Sequence, residues 1–77
     1  MNIQDFIENF ADQFEDTDPS EITATTNYRE LEEWSSLIAL SIIAMVDDEY
    51  DVTLKGDDIT GCSTIEELFN LVQSRLD

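Results

Sequence analysis

The sequence predicts an all-α fold, a four-helix bundle of three longer helices and one short one, in a single domain over 1–77. Three observations predict it. Apolar residues recur every three or four positions in three separate segments, the mark of helices that turn one face to a core. Serine and threonine stand just ahead of the second and the last of these segments, where their side-chain oxygens can cap free helix amides. An apolar fraction of 42% across 77 residues is ample for one core, although a chain this short buries only roughly 60% of the surface it exposes when unfolded.

The elements follow in order. Ile3, Phe6, Ile7, Phe10, Ala11 and Phe14 form the first apolar stripe, with Asp5, Glu8, Asp12 and Glu15 opposite, so a helix over 2–15 is expected. Asp16 to Trp34 reads as a long loop: Pro19 disfavours helix at Asp18, and Thr23, Thr25, Thr26 and Asn27 suit helix interiors poorly. Long ordered loops in small domains are often functional, and Tyr28 and Leu31 are its candidate anchors to the core.

Ser35 or Ser36 caps a second helix reaching Tyr50. Leu37, Leu40, Ile43 and Ala44 form one apolar line along it. Ile38, Ile42, Met45 and Val46 widen that line past a single stripe. Such a helix is either buried on several sides or keeps apolar surface for a partner. Asp47, Asp48 and Glu49 crowd its C-terminal end, where the helix dipole disfavours negative charge, so these acids are expected to serve solubility or binding.

Val52 to Leu54 is a connector, Lys55-Gly56 turns the chain, and Asp57-Asp58-Ile59 is expected to make one helical turn. Ser63-Thr64-Ile65-Glu66 reads as a capping box, with Thr64 and Glu67 giving a second register. It opens a last helix over roughly 64–75, with Ile65, Leu68, Phe69, Val72 and Leu76 on its apolar face. The expected core is Phe6, Phe10, Phe14, Leu40, Ile43, Leu68, Phe69 and Val72.

Charge narrows the function. Nineteen Asp and Glu face three basic residues, Arg29, Lys55 and Arg75, for a net charge of −16. Binding to nucleic acid or to an anionic membrane requires basic surface, so neither is an expected partner. A basic protein surface would be drawn in and steered. The apolar run Leu37 to Val46 is broken by Ser41 and is too short to span a bilayer. Met1 is followed by Asn2 and Asp5, not by a basic stretch and an apolar run, so no secretory signal is expected and the cytoplasm is the expected compartment.

Catalytic chemistry finds little here. The chain has no histidine, which removes the usual general base for a serine or cysteine nucleophile. Cys62, the single cysteine, allows no intramolecular disulfide, and its acidic neighbours would raise its pKa; it reads as a small filler in a connector. Asp47, Glu49 and Asp51 alternate as calcium-loop ligands would, but Val52 stands where the loop needs glycine and Asp58 where it needs glutamate. No metal site is expected. With Gly56 and Gly61 as the only glycines, there is no glycine-rich phosphate loop. What remains is Trp34-Ser35-Ser36-Leu37, two hydroxyls at a loop-to-helix junction. Helix capping accounts for one of them. A helix N-terminus also offers free amides and positive dipole to a phosphate, so a serine there suits attachment of a phosphodiester.

From Tyr28 to Val72 the chain resembles the acyl carrier protein family. The family's attachment motif is Asp-Ser-Leu at the start of its second helix, and Ser35-Ser36-Leu37 occupy those places here. Leu40, Ile43, Ala44, Met45, Val46, Asp48, Glu49 and Tyr50 match the apolar second helix and its acidic-aromatic end. Asp58-Ile59 and Ser63-Thr64-Ile65-Glu66-Glu67-Leu68 match the short third helix and the start of the fourth. With the first helix included, the likeness covers nearly the whole chain. Ser35 replaces the usual aspartate, and acids with Trp34 replace the usual leucine-glycine run; Trp34 is similar to a tryptophan of some specialised carriers.

The resemblance implies a non-catalytic, monomeric carrier. A phosphopantetheinyl transferase would attach 4′-phosphopantetheine from coenzyme A to Ser36, which directly precedes Leu37, and the arm's thiol would hold acyl groups as thioesters. Acyl-loading ligases or transferases and the condensing and modifying enzymes of fatty-acid, polyketide or related biosynthesis would be partners with basic docking surfaces. Leu37, Ile38, Asp47, Asp48, Glu49 and Asp51 are the candidate contact residues. Ile38 reads equally as a core residue. An aminoacyl, peptidyl or other specialised carrier is the alternative within the class. An acidic protein-interaction module without cofactor is the alternative outside it.

Overall fold

The structure, a computed structural model, describes residues 2–76. Its helices are α1 (Ile3–Ala11), α2 (Ser36–Tyr50), α3 (Gly56–Gly61) and α4 (Ile65–Ser74). No strand forms among the described residues; a single isolated bridge pairs Asn27 with Thr64. α1 packs on α4 and α2, and α3 packs on α2. The expected all-α bundle of three longer helices and one short one is the fold.

α1 begins at a cap, the Asn2 carbonyl oxygen of the side chain accepting the Gln4 N–H at 2.7 Å. It ends at Ala11, short of the expected residue 15. Gln13 and Phe14 donate instead to the carbonyls of Phe10 and Ala11, the tighter three-residue pattern common at helix ends. Spacing alone misses this stop, because a three-residue step leaves Phe14 on the same side, and Phe14 remains buried.

The long loop is held at several points. Pro19–Glu21 and Tyr28–Glu30 form 3₁₀ turns, capped by the side chains of Asp18 and Asn27. Ile22 is buried below the first turn. Tyr28, wholly buried, is the anchor expected from the sequence: its hydroxyl lies between the carbonyl oxygens of Ile59 and Cys62, 2.9 Å from the latter. It thereby joins the loop to the end of α3. Burial is the main cause that pushes its pKa well above the usual tyrosine range. Leu31 packs partly against the core.

Ser35, not Ser36, caps α2, accepting the Ile38 N–H at 3.3 Å. Ile42, Met45 and Val46 are the buried residues of this helix. The expected core residue Leu40 is 60% exposed, and Ile43 is only partly buried. A helix that is apolar nearly all round does not announce which face turns inward, and packing chose the Ile42–Val46 side. In the connector, Val52 and Leu54 are buried and Thr53 is exposed, an extended, alternating segment.

Gly56 opens α3 without a turn of its own; neither glycine has positive φ. The Asp58 carboxylate accepts the Lys55 N–H at 2.9 Å. Thr64 caps α4, accepting from Glu67 N–H, while the Glu67 carboxylate accepts the Ser63 N–H. Of the two capping registers, Thr64–Glu67 is the one formed. Arg75 at the end of α4 grips Asp58 with both guanidinium nitrogens at 2.9 Å. That fork closes the C-terminal end of α4 onto α3 and holds the Asp58 carboxyl below its usual range.

The core is an aromatic chain. Phe6 meets Phe69 edge-on at 5.5 Å and Tyr50 at 5.8 Å; Phe10 meets Tyr28 and Phe14; Tyr28 and Phe14 both meet Trp34. Pairs at these separations add to the area each ring buries. The chain of rings runs from the end of α2, through α1, to the residue two places before Ser36.

Candidate functional site

Ser36 is the first residue of α2 and is exposed. Because Ser35 occupies the cap, the Ser36 hydroxyl is not needed there. Ser35 satisfies the Ile38 amide, whereas the amides of Ser36 and Leu37 have no acceptor within the helix. Carboxylates stand in the first turn of the other three helices, Asp5 in α1, Asp57 and Asp58 in α3, Glu66 and Glu67 in α4. α2 has none there. In a chain with 19 acids, the one helix start free of carboxylate is the one that opens on the exposed serine. The positive end of its dipole is left for another anion.

One face of α2 runs away from that serine. At about 100° per residue, Leu37, Leu40, Ala44, Asp47, Asp48 and Asp51 fall within an arc of roughly 100°, and all six are exposed. Leu37 is 74% exposed. The face is apolar beside Ser36 and acidic about 16 Å further along, eleven residues at 1.5 Å each. The buried Ile42 and Val46 lie opposite.

Two of the candidate contact residues fall off this face. Ile38 is a third of a turn away and packs partly against the core, the alternative the sequence left open for it. Glu49, although exposed, turns toward the side where Gln13, Ser41, Met45 and Asp48 line a shallow recess between α2 and the end of α1. Asp51 closes α2 in the left-handed region, with φ 55°, the only non-glycine positive φ among the described residues.

Cys62 is partly buried, and burial first, then Glu67 and Asp58, pushes its thiol up. A raised thiol is a poor nucleophile, which fits the filler role. No group of His, Cys, Asp or Glu among the described residues is arranged to hold a metal ion. Among them, too, no helix is long and apolar enough to cross a membrane.

Sequence reasoning missed one feature near the serine. Glu33 uses its carboxylate to accept hydrogen bonds from Glu15, Asp16 and Thr17 at the exit of α1. Nothing in local spacing signals a contact between residues so far apart in the chain.

A 4′-phosphopantetheine arm fits the residues present. Its phosphodiester needs an exposed hydroxyl, free amide donors and no competing carboxylate, and the start of α2 supplies all three. Comparison with protein families matches residues 4–72 to the phosphopantetheine attachment site model. Comparison with curated proteins and with solved structures returns no match. The chain therefore belongs to the phosphopantetheine-binding family that includes the acyl carrier proteins, whose members hold 4′-phosphopantetheine covalently and are served by phosphopantetheinyl transferases and biosynthetic enzymes.

Proposed function

We propose that this chain is a single acyl carrier domain, without catalytic activity of its own, modified at Ser36. The observation that carries the reading is the start of α2: an exposed Ser36 at a helix N-terminus whose first turn carries no carboxylate. Ser35 holds the first turn closed through the Ile38 amide, and the dipole with the amides of Ser36 and Leu37 stabilises the phosphodiester once it is made. The bound arm supplies a thiol that carries acyl groups as thioesters. Leu37, Leu40 and Ala44 offer an apolar contact beside the arm, and Asp47, Asp48 and Asp51 steer partner enzymes with basic docking surfaces. Glu49 adds charge from the neighbouring side. On this reading the protein works as a monomer in the cytoplasm, within fatty-acid, polyketide or related biosynthesis.

A second reading within the class is an aminoacyl or other specialised carrier. What favours it is the first half of α2, where Ser35, Ile38 and Ser41 stand and no carboxylate appears before Asp47. Acids confined to the far end imply partners that read the leucines first.

Intact mass after incubation with coenzyme A and a phosphopantetheinyl transferase tests the assignment. The wild type and Ser35→Ala gain the arm, Ser35→Ala more slowly; Ser36→Ala gains nothing. Peptide mapping that placed the arm on Ser35, or a modified Ser36→Ala chain, would sink it. A wild type that stays unmodified favours the acidic interaction module instead.

A further inference from the structure

Two neighbouring residues grip the chain just ahead of Ser36, and both reach back to the exit of α1. Glu33 accepts the Glu15 N–H at 2.7 Å through Oε2, and the Asp16 N–H at 2.9 Å and the Thr17 hydroxyl at 2.8 Å through Oε1. Trp34 sets its ring 6.4 Å from Phe14 and 5.0 Å from Tyr28. Asp16, Glu21, Glu30 and Glu32 line the same recess as Glu33, with no cation among its lining residues. A carboxylate in such company gains by turning to water. Glu33 instead spends both oxygens on neutral donors, and the Glu15 amide leads the contacts that hold its pKa below the usual range.

The first turn of α2 needs such a tether. Ser35, Ser36 and Leu37 are exposed, Ile38 and Ala39 pack only partly against the core, and Ile42 is the first wholly buried residue of the helix. Helix ends with little packing fray. The core therefore holds α2 most firmly from its middle onward and only partly at Ile38 and Ala39, while Glu33 and Trp34 hold it from the loop side.

We propose, on the reading that Ser36 is the attachment residue, that Glu33 is a positioning residue for that reaction: it pins the segment entering α2 to the exit of α1 and so presents the Ser36 hydroxyl in one place. The hydrogen bonds of Glu33 go to Glu15, Asp16 and Thr17, not to the Ser36 hydroxyl. It acts through Trp34 and Ser35. Displacing a reacting group by ~1 Å can cost up to about 100-fold in rate, and a first turn that frays no longer holds the hydroxyl in one place.

The test is steady-state phosphopantetheinylation of the full chain, with kcat and KM resolved, for wild type, Glu33→Ala, Glu33→Gln and Thr17→Val, each below its melting temperature. Glu33→Ala should lower kcat about tenfold with KM changed less than about twofold, since the exposed face of α2 is untouched. Thr17→Val removes one of three donors and should lower kcat in the same sense by less. Glu33→Gln keeps an acceptor oxygen and should recover part of the loss. An unchanged kcat in Glu33→Ala, or a loss confined to KM, overturns the proposal. If Glu33→Ala fails to fold, Thr17→Val carries the test with the same two outcomes. A wild type modified elsewhere, or not at all, overturns the Ser36 reading itself, so the two failures are distinguishable.

Discussion

In α1 the apolar and polar residues separate cleanly: Phe6 and Phe10 are wholly buried, and Asp5 and Glu8 are exposed. In α2 they do not. Ile42 and Val46 are wholly buried, yet Leu37 and Leu40 on the opposite side face water. A helix whose only task is to close a core keeps one apolar stripe. α2 keeps a second apolar surface, Leu37 and Leu40, that stability alone does not call for and that the proposed function assigns to partner enzymes. The same division appears in charge. α1 carries its acids along its outer face, whereas α2 holds Asp47, Asp48 and Glu49 at its C-terminal end, against its own dipole.

The largest expected effect tests that division directly. Phe10→Ala should destabilise the domain by about 3–5 kcal/mol, the usual range for an emptied aromatic site. For a small domain with only ~5–15 kcal/mol in hand, that is a large share. Leu40→Ala should stay within about 0.5 kcal/mol while raising the transferase KM at Ser36. Urea unfolding of both variants, with transfer kinetics on the second, checks the pair. A Leu40→Ala change that cost as much as Phe10→Ala would place Leu40 in the core and erase the difference between the helices.

A smaller effect is expected at the end of α2. Asp51 sits in the left-handed region, which penalises a Cβ, and it places negative charge beside the helix carbonyl end. Asp51→Gly should therefore stabilise, by less than the roughly 1–2 kcal/mol that the left-handed region costs most residues, since aspartate tolerates it better, read as a shifted urea midpoint at constant slope. Destabilisation would mean that the Asp51 side chain contributes more than its backbone conformation costs.

The smallest effect concerns how the two helices are joined. Glu33, by the Glu15 amide first, and Asp58, by Arg75 first, are held below their usual 4.5 and 3.8. Their folded values lie below their unfolded ones. Their contribution is thus complete at neutral pH, and it is lost as pH falls through the usual values toward the lower folded ones. Melting temperature should fall more steeply below about pH 4.5 in the wild type than in Glu33→Gln, whose side chain does not titrate. Parallel curves would show that Glu33 adds nothing to the joint between α1 and α2, and that rings alone hold it.

Much of the fold was legible in local sequence. Phe6 and Phe10 announce α1, Thr64 with Glu67 announces α4, and Tyr28 was readable as the anchor of a loop otherwise poor in large apolar residues. The errors came where one signal fits two structures. Phe14 keeps helical spacing although the chain has left α1 in a tighter turn. Leu40 looks like core because α2 is apolar on both sides. The start of the candidate site was legible through Ser36 and Leu37, but its support was not. Glu33 reads as one more acid among nineteen.

The sequence by itself determined the helix order, a serine pair at the start of α2, the absence of a histidine base and the strongly negative charge, because periodicity, capping and charge act over a few residues or over the whole composition. Only the tertiary structure decided which side of α2 is buried, and which distant groups meet. Glu33 finds its donors 16 to 18 residues away, Arg75 finds Asp58 at 17, and the Tyr28 hydroxyl finds the Cys62 carbonyl at 34. Such pairings carry no local periodicity. They exist because the buried core brings α1, the loop, α3 through Ile59, and α4 together, and the polar groups then settle on whichever donors that packing leaves within reach.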